Sequence, residues 1–482
     1  MSRTIMNLEE SRELEARCAV RMGLDTLMRR AGTFAAKWLD ERLPCPHVTV
    51  LAGPGNNGGD AIVCACELKR LGHTVQLVMP GGEPKTELAR EMLADWIALG
   101  GTVISDPYMT EKADAVVDGL FGTGLKRPIT GDYLDAILWF NERQCFRLAL
   151  DVPSGLHSET GHWVGTMPGV TADATVTFLS AKSGLYMNEG VDAAGAVVVS
   201  ELDVSVPLTR LGLIEYSDFD HICQPRPKFS HKGTLGGAEG HIGAALLSAR
   251  AALRMGAGTV TVELLTPNAM MVDPVAPELM FSSTPLDFSR FTAAVIGPGL
   301  GQSAAAKARL EAALASNIPL VLDADALNLI AGDKALLTTL LHRTVATVLT
   351  PHEAEGARLL KVTPQIIQSD RVNAVRDIAL QTGAITVLKG PGTLIAMRSS
   401  RTWLSPYATA SLATAGSGDV LSGMIASFLG QRYDTVESVL GAVMLHGYAG
   451  KERVAGLTAS EIASIAVEPL ETYRRTNARP YW

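Results

Sequence analysis

Two glycine-rich segments that end on an aspartate stand in opposite halves of the chain. They are GPGNNGGD, Gly53 to Asp60, and AGSGD, Ala415 to Asp419. Each follows an apolar or small-residue stretch and opens into a helical pattern. That arrangement leaves backbone N–H groups and the positive end of a helix dipole free for an anion. In the first segment the glycines permit a sharp turn and close approach to a ligand, and Asn56, Asn57 and Asp60 add polar groups at the same point. It is neither the G-x-G-x-x-G fingerprint nor a P-loop, and no lysine follows it, so phosphoryl transfer is not expected there. A tight turn between strand and helix is the alternative for this motif alone. In the second segment the N–H groups of Gly416 to Gly418 could neutralise charge developing on a phosphate, and Asp419 could take the proton of an acceptor hydroxyl. An ordinary helix start is its alternative.

Two more segments in the N-terminal half carry chemistry. Asp118-Gly-Leu-Phe-Gly-Thr-Gly-Leu-Lys-Arg joins an acid, a glycine turn and two basic side chains, and Asp151-Val-Pro-Ser154-Gly adds an acid and a hydroxyl. Oxygen atoms of Asn57, Asp118 and Ser154 could surround a monovalent cation. Asp151 could act as an acid/base group if it is buried beside a substrate.

These segments need elements to position them. Residues 8–40 read as amphipathic helices broken near Gly23 and Gly32. Strand patterns follow at 47–53, 73–80, 113–124, 146–155, 171–180 and 193–202, alternating with helical patterns at 60–72, 87–100 and 132–144. The alternation predicts a parallel sheet covered on both faces, whose ligands bind beyond the C-terminal strand ends. GPGNNGGD, DGLFGTG and DVPSG all fall at such ends. Residues 207–232, with Pro207, Pro225 and Pro227, read as a linker. A second alternating series includes 259–267, 293–301, 318–330, 344–355 and 384–397.

The chain has 482 residues, 47% of them hydrophobic, enough for two sizeable cores. A net charge of −8 with no long basic run argues against a nucleic-acid partner. No apolar run reaches the roughly 18 residues that span a bilayer, and the N-terminus lacks a signal-peptide core. A cytoplasmic protein with no membrane partner is expected. The six cysteines form no C-x-x-C pair, which suits free thiols in a reducing compartment.

The N-terminal motifs, GPGNNGGD, DGLFGTGL, LDVPSGL and GVTADATVTFLSAKSGL with the opening SRELEARCAVRMGLDTLMRRAG, resemble the NAD(P)H-hydrate epimerase domain. The resemblance implies a Rossmann-like three-layer α/β domain over 1–215. Its activity would be interconversion of the R and S epimers of hydrated NADH and NADPH at the hydroxyl-bearing nicotinamide carbon. It further implies that Asn56, Asn57, Gly58, Gly59 and Asp60 contact the hydrate. The same holds for Gly122, Thr123, Gly124, Leu125, Lys126, Arg127, Pro128 and Tyr133. Asp151 would be catalytic, and Asn57, Asp118 and Ser154 would bind K+.

In the C-terminal half HKG, GPGLG, VLDADALNLI, TPHEAEGARLL, VLKGPGTLIA, AGSGD and LHGYAG occur in order. This set resembles the ADP-dependent NAD(P)H-hydrate dehydratase domain and implies a ribokinase-like α/β domain over 216–482. Such domains phosphorylate the hydroxyl of the S hydrate and expel phosphate, restoring NAD(P)H and leaving AMP, with Mg2+ expected. By motif, Ala244, Gly299 and His352 would line the hydrate pocket. Lys389, Gly390, Pro391, Gly392, Thr393 and Gly418 would hold ADP, and Asp419 would be catalytic. His352 taken singly reads as a structural histidine, and Asp323 and Asp325 read in part as residues that turn the chain after a strand.

Two departures from the family pattern stand out. GGAEGHIGAALL follows HKGTLG almost at once, so about five to six residues of strand are missing near 236–240. The second sheet is therefore expected to lose a strand or to draw on neighbouring residues. Ala408-Thr-Ala-Ser-Leu412 replaces a Gly-Asn-Pro-Gly-Met run before AGSGD. The reading as a whole is a bifunctional repair enzyme, expected to be a homo-oligomer. The alternatives are a ribokinase-like small-molecule kinase with a fused nucleotide-binding domain, or an epimerase with a non-catalytic nucleotide-sensing domain.

Overall fold

Short β-branched runs closed by Gly, Pro or Asp become the strands, and the helical patterns between them cover both faces. The computed structural model describes residues 4–43, 47–223, 232–237, 242–266, 271–398, 401–453 and 455–476. It divides into two units, Arg3–Thr209 and Arg210–Trp482.

The first unit holds a seven-stranded sheet in the order Val103–Ile104, Thr74–Val78, His47–Ala52, Ala115–Gly119, Phe146–Leu150, Ala174–Phe178, Ala196–Ser200. Every pairing is parallel. The chain begins near the middle, builds one edge, then returns past His47–Ala52 to build the other. The loops after His47–Ala52 and Ala115–Gly119 therefore leave on opposite faces and open a crevice between them. Alternation along the strands feeds two cores. Val50, Val117, Leu148 and Val176 face one side, and Leu51, Val116 and Ala149 the other.

Two local expectations change. Gly32 does not break a helix, since Leu24–Asp40 is continuous through it. A Cβ at Gly32 would lie 2.5 Å from both the Asp60 carbonyl and Val63 Cβ. The glycine lets this helix press onto Asn56–Arg70. That second helix also starts earlier than its apolar pattern suggested, so Asn56 to Asp60 are its first turn rather than a loop before it. Cys18, Cys64, Cys66, Cys145 and Cys223 are free thiols, while Cys45 lies outside the described residues.

Within the second unit the sheet runs Leu211–Leu213, Thr402–Leu404, Leu394–Ala396, Ile385–Leu388, Thr347–Leu349, Leu320–Leu322, Ala293–Ile296, Lys232–Gly237, Thr259–Leu264, Met280–Ser282. It is parallel from Ile385–Leu388 to Met280–Ser282, with an antiparallel hairpin at Leu394–Ala396. Both units thus have the α/β architectures expected, Rossmann-like first and ribokinase-like second. The missing strand is replaced from its neighbours. Lys232–Gly237 pairs with Thr259–Leu264 on one side and Ala293–Ile296 on the other, so the central position is filled. Residues 238–241 lie outside the described residues. Part of the expected linker is also structured. Leu211–Leu213 joins the sheet through Thr402–Leu404, and Ile214, Phe219, Ile222 and Cys223 are buried in the unit's main core.

The helix Ser417–Gly430 is buried along most of its length and lies against Ile242–Arg254. Ser427 Oγ donates to the Ala252 carbonyl at 2.9 Å, and Gln431 Nε2 donates to the Met255 carbonyl at 3.1 Å. A Cβ on Gly423 would lie 2.0 Å from the Ser248 carbonyl oxygen. No helix among the described residues is long and apolar enough to cross a membrane. Gly423→Ala must push these helices apart, which costs about 1–3 kcal/mol by overpacking. Calorimetry should show the second unit melting several degrees lower with the first unit's transition unmoved.

Candidate active sites

In the first unit the crevice at the strand ends is a cavity of about 830 Å³. Its wall includes Asn56, Asn57, Asp60, the run Gly122 to Pro128, Tyr133 and Asp151. Gly58 and Gly59 lie behind this wall. Their missing side chains let the Gly53 carbonyl and Met28 Sδ approach, at 1.9 and 2.5 Å from where a Cβ would be. They shape the turn and present no surface to the cavity. Tyr133 packs edge-on against Phe121, ring centroids 5.0 Å apart, and partial burial raises its hydroxyl pKa.

Asp151 follows the strand Phe146–Leu150 in the left-handed region, φ 64°. Few side chains accept that conformation, and aspartate is among those that do. The backbone is held by Asp151 N–H donating to the Val176 carbonyl at 2.7 Å. Oδ2 accepts from the Thr123 N–H at 3.3 Å. Oδ1 accepts from Thr177 Oγ1 at 3.3 Å and lies 2.8 Å from Lys182 Nζ. Lys182 is buried and also donates to the Phe178 carbonyl at 2.7 Å. Reading the sequence alone missed Lys182, although it stands inside the quoted FLSAKSGL run. The available signal was a lysine among small residues just past a strand end.

Asp118 and Ser154 pair behind the cavity wall, bonded to its lining residues Leu120 and Phe121, and Asn57 lines the cavity itself. Asp118 is fully buried and accepts from the Ser154 N–H at 2.8 Å, Ser154 Oγ at 2.7 Å and the Leu120 N–H at 3.1 Å. Burial pushes its pKa up to about 6 against those three bonds. Asn57 Nδ2 donates to the Leu150 carbonyl at 3.3 Å, which leaves Oδ1 buried with no hydrogen-bond partner.

In the second unit the polar cluster centres on Asp323, at the end of Leu320–Leu322. It is buried, accepts from Ser422 Oγ at 2.5 Å and lies 2.9 Å from Lys389 Nζ. Asp323 is thus more than a chain-turning residue. Asp325 does match that modest role, its Oδ2 accepting from the Gly301 N–H at 2.9 Å. Burial opposes the charge on Lys389, but Asp323, Glu355 and Asp419 together raise its pKa. Lys389 Nζ is 2.9 Å from where a Cβ on Gly418 would sit, so the ammonium stands at the start of Ser417–Gly430. Asp419, in the first turn, has its pKa pushed up to about 6 by burial and then by Asp323, with Lys389 opposing.

The turn into that helix is braced from two sides. Gly416 takes φ 88°. Ser417 Oγ donates to the Leu412 carbonyl at 2.8 Å, and His446 Nε2 lies 3.0 Å from the Ser417 carbonyl. Burial pulls the His446 pKa down to about 4, so the ring is neutral and donates this bond. Thr409 Oγ1 donates to the Gly450 carbonyl at 3.2 Å. The altered run 408–412 therefore still ties the helix start to Thr435–Glu452.

His352 caps Glu353–Leu360, its Nδ1 accepting from the Ala354 N–H at 3.1 Å, and Nε2 lies 3.3 Å from Glu355 Oε1. It is half exposed and meets the cluster through Glu355. Ala244 lies on the first turn of Ile242–Arg254, and Gly299 in the loop after Ala293–Ile296. The run Lys389 to Thr393 forms the turn of the hairpin.

Arg371, also missed from sequence, holds that turn from beneath. Its buried guanidinium donates from Nη1 to the Pro391 carbonyl and, at 2.9 Å, to the Gly392 carbonyl, and from Nη2 to the Lys389 carbonyl at 3.3 Å. Burial lowers its pKa to about 10, still charged at neutral pH. Arg371→Met would strand these carbonyls and should destabilise the second unit by roughly 3 kcal/mol or more in calorimetry. Arg371→Lys should recover little, because one ammonium cannot reproduce the planar fork.

Comparison with known proteins gives these sites their context. Residues 24–184 match the family described as YjeF-related protein N-terminus, and residues 233–467 match the NAD(P)H-hydrate dehydratase family. The chain is 35% identical over 462 residues to the bifunctional NAD(P)H-hydrate repair enzyme Nnr of Coxiella burnetii, covering 91% of this chain and 92% of that one. It is 34% identical over 457 residues to the Escherichia coli protein of the same name, covering 91% and 87%. Among solved structures, an ADP/ATP-dependent NAD(P)H-hydrate dehydratase from Bacillus subtilis, co-crystallized with ATP/Mg2+, is 27% identical, with 53% of this chain and 96% of that chain covered at a TM-score of 0.45. With a relative at this identity along nearly the whole of both chains, and an ordered motif set at each sheet end, the chain belongs to the family of bifunctional NAD(P)H-hydrate repair enzymes.

Proposed function

We propose that the first unit interconverts the R and S forms of hydrated NADH and NADPH, and that the second dehydrates the S form at the expense of ADP. For the first unit the supporting observation is Asp151, held against Lys182 in the wall of a cavity of about 830 Å³. A carboxylate fixed at that point can act as an acid/base group on the substrate. The hydrate spans the loops Asn56 to Asp60 and Gly122 to Pro128, with Lys126 and Arg127 available to its phosphates.

The donor set of Asn57, Asp118 and Ser154 fits K+. All three supply hard oxygen atoms, and the buried Oδ1 of Asn57 has no hydrogen-bond partner. Bound there, K+ would offset the Asp118 charge and the substrate phosphate charge. Replacing K+ in the buffer by a bulky organic cation should lower epimerase turnover at least about tenfold, with recovery on adding K+ back. Turnover indifferent to the exchange removes the ion from the reading.

For the second unit the supporting observation is the Lys389–Asp323–Asp419 cluster at a helix start. The nucleotide lies along Lys389 to Thr393, Lys389 and the Gly418 amide hold the transferring phosphoryl group, and Asp419 takes the hydroxyl proton of the hydrate. Phosphate then leaves, restoring the reduced nicotinamide and AMP. Asp323, Glu355 and Asp419 outnumber the single ammonium of Lys389. That excess of carboxylates fits Mg2+, which, held there, would offset the charge of the transferring group. The soluble dinucleotide and nucleotide substrates suit a cytoplasmic setting.

Absorbance at 340 nm with purified S hydrate should rise only when ADP is present. ADP-independent silence in both arms, or phosphorylation of an unrelated alcohol without restored NADH, defeats the dehydratase reading. Asp419 must be ionised to accept a proton, and its pKa is about 6. Dehydratase kcat/KM should therefore fall about tenfold per unit as pH drops below 6 and level off above 7. Asp419→Asn should lose at least about 100-fold in kcat and abolish that acid limb.

A further inference from the structure

The reading above leaves Asp60 and Glu15 without a chemical role. Asp60 lies in the first turns of Asn56–Arg70, and Glu15 on Leu8–Met22. Both line the same cavity as Asp151 and Lys182. The Lys182 ammonium is already engaged, 2.8 Å from Asp151 Oδ1 and 2.7 Å from the Phe178 carbonyl oxygen. Three carboxyl groups thus line one cavity with Lys182, and Arg12 also acts on Glu15. In a partly buried pocket three such charges are not all sustained, and a proton stays on one group. The charged groups facing Asp60 are Asp151, Glu15 and Lys182. Burial, then Asp151 and Glu15, raise its pKa well above the usual carboxylate range, with Lys182 opposing. Glu15 is raised too, by burial and by Asp151, with Lys182 and Arg12 opposing. The Glu15 side chain is the more open to solvent, so burial favours the acid form more strongly at Asp60.

The substrate needs such a pair. Water adds to an enamine at the carbon beside nitrogen, so the hydrate carries its hydroxyl next to the ring nitrogen. That carbon inverts if the C–O bond breaks and re-forms on the other face. An acid must protonate the departing oxygen, and a base must deprotonate the arriving water.

Building on the epimerase reading, we propose that Asp60 is the general acid and Asp151 the general base of an elimination–addition epimerisation, with Glu15 as the charge that favours the acid form of Asp60. The Asp60 proton joins the departing oxygen, which leaves as water with the C–O electron pair. The ring nitrogen lone pair closes a C=N+ bond. A second water adds from the opposite face, its proton passes to the Asp151 carboxylate, and the nitrogen regains its pair. In the reverse direction the two carboxyl groups exchange roles, and cavity water resets the protons between turnovers. No oxidant or reductant is consumed.

The test uses the full chain in heavy-oxygen water with one purified epimer of NADH hydrate, followed by chromatography and mass spectrometry after subtracting uncatalysed exchange. Each inversion should bring in one heavy oxygen. Inversion with the original oxygen retained overturns the inference and leaves the epimerase reading standing, whereas no catalysed inversion at all overturns the epimerase reading. At saturating hydrate Asp60→Asn should epimerise at least about 100-fold more slowly in kcat, and a kcat near the original overturns the role of Asp60. Glu15→Gln removes a negative charge beside Asp60, so the acid form is lost at lower pH and the alkaline fall in epimerisation rate should begin earlier. An unmoved pH profile overturns the part given to Glu15.

Discussion

Each unit sets one lysine against one aspartate at the C-terminal ends of parallel strands. Asp151 and Lys182 follow Phe146–Leu150 and Ala174–Phe178, and Asp323 and Lys389 follow Leu320–Leu322 and Ile385–Leu388. The contacts are 2.8 and 2.9 Å. Losing one partner of such a buried pair leaves an uncompensated charge, at a cost of about 3–5 kcal/mol. The pairs therefore tie strand ends together, adjacent strands in the first unit and strands on either side of Thr347–Leu349 in the second, while holding a carboxylate where a substrate can reach it. Further acids collect around each pair, Asp60 and Glu15 in one unit and Glu355 and Asp419 in the other. Burial, and then their excess over the cations, raises the pKa values of Asp60, Glu15, Glu355 and Asp419.

The same charges depend on tight backbone packing. Gly32 lets Leu24–Asp40 touch the Asp60 carbonyl, so the helix that carries Asp60 is held from behind. Gly423 lets Ser417–Gly430 touch the Ser248 carbonyl, which fixes the helix that carries Asp419. Neither glycine lies on the ligand side. Each removes a side chain so that a helix start can stay at one depth relative to its sheet. The two glycine-rich segments also differ in what their glycines do. Gly58 and Gly59 permit packing behind a cavity, while Gly416 supplies the left-handed turn that aims a helix start toward Lys389.

Much of the site was legible because its residues sit in short local motifs at strand ends. Asp118 meets Ser154, and Asn57 and Asp151 line one cavity, as positions after successive strands allow. The residues that escaped reading were single charges without a local motif. Lys182 and Arg371 are ordinary basic residues in the sequence, and only burial against Asp151 or against the Lys389 to Gly392 carbonyls gives them a purpose. Asp323 looked half structural because a strand-ending aspartate usually caps or turns the chain, and its contact with Lys389 spans 66 residues.

The alternation of strands and helices, the two glycine-rich helix starts and the resemblance to a two-domain repair family come from the sequence by itself, since each depends on local periodicity and ordered motifs. What fills the place of the shortened strand was decided by tertiary structure. Lys232–Gly237 has a glycine-rich, weakly strand-forming sequence, and it becomes a central strand because Thr259–Leu264 and Ala293–Ile296 present hydrogen-bonding edges on both sides. The raised pKa values of Asp60, Asp118 and Asp419 were likewise beyond local reading. A carboxyl group's charge is set by burial and by partners distant in sequence, and those exist only after the chain has folded.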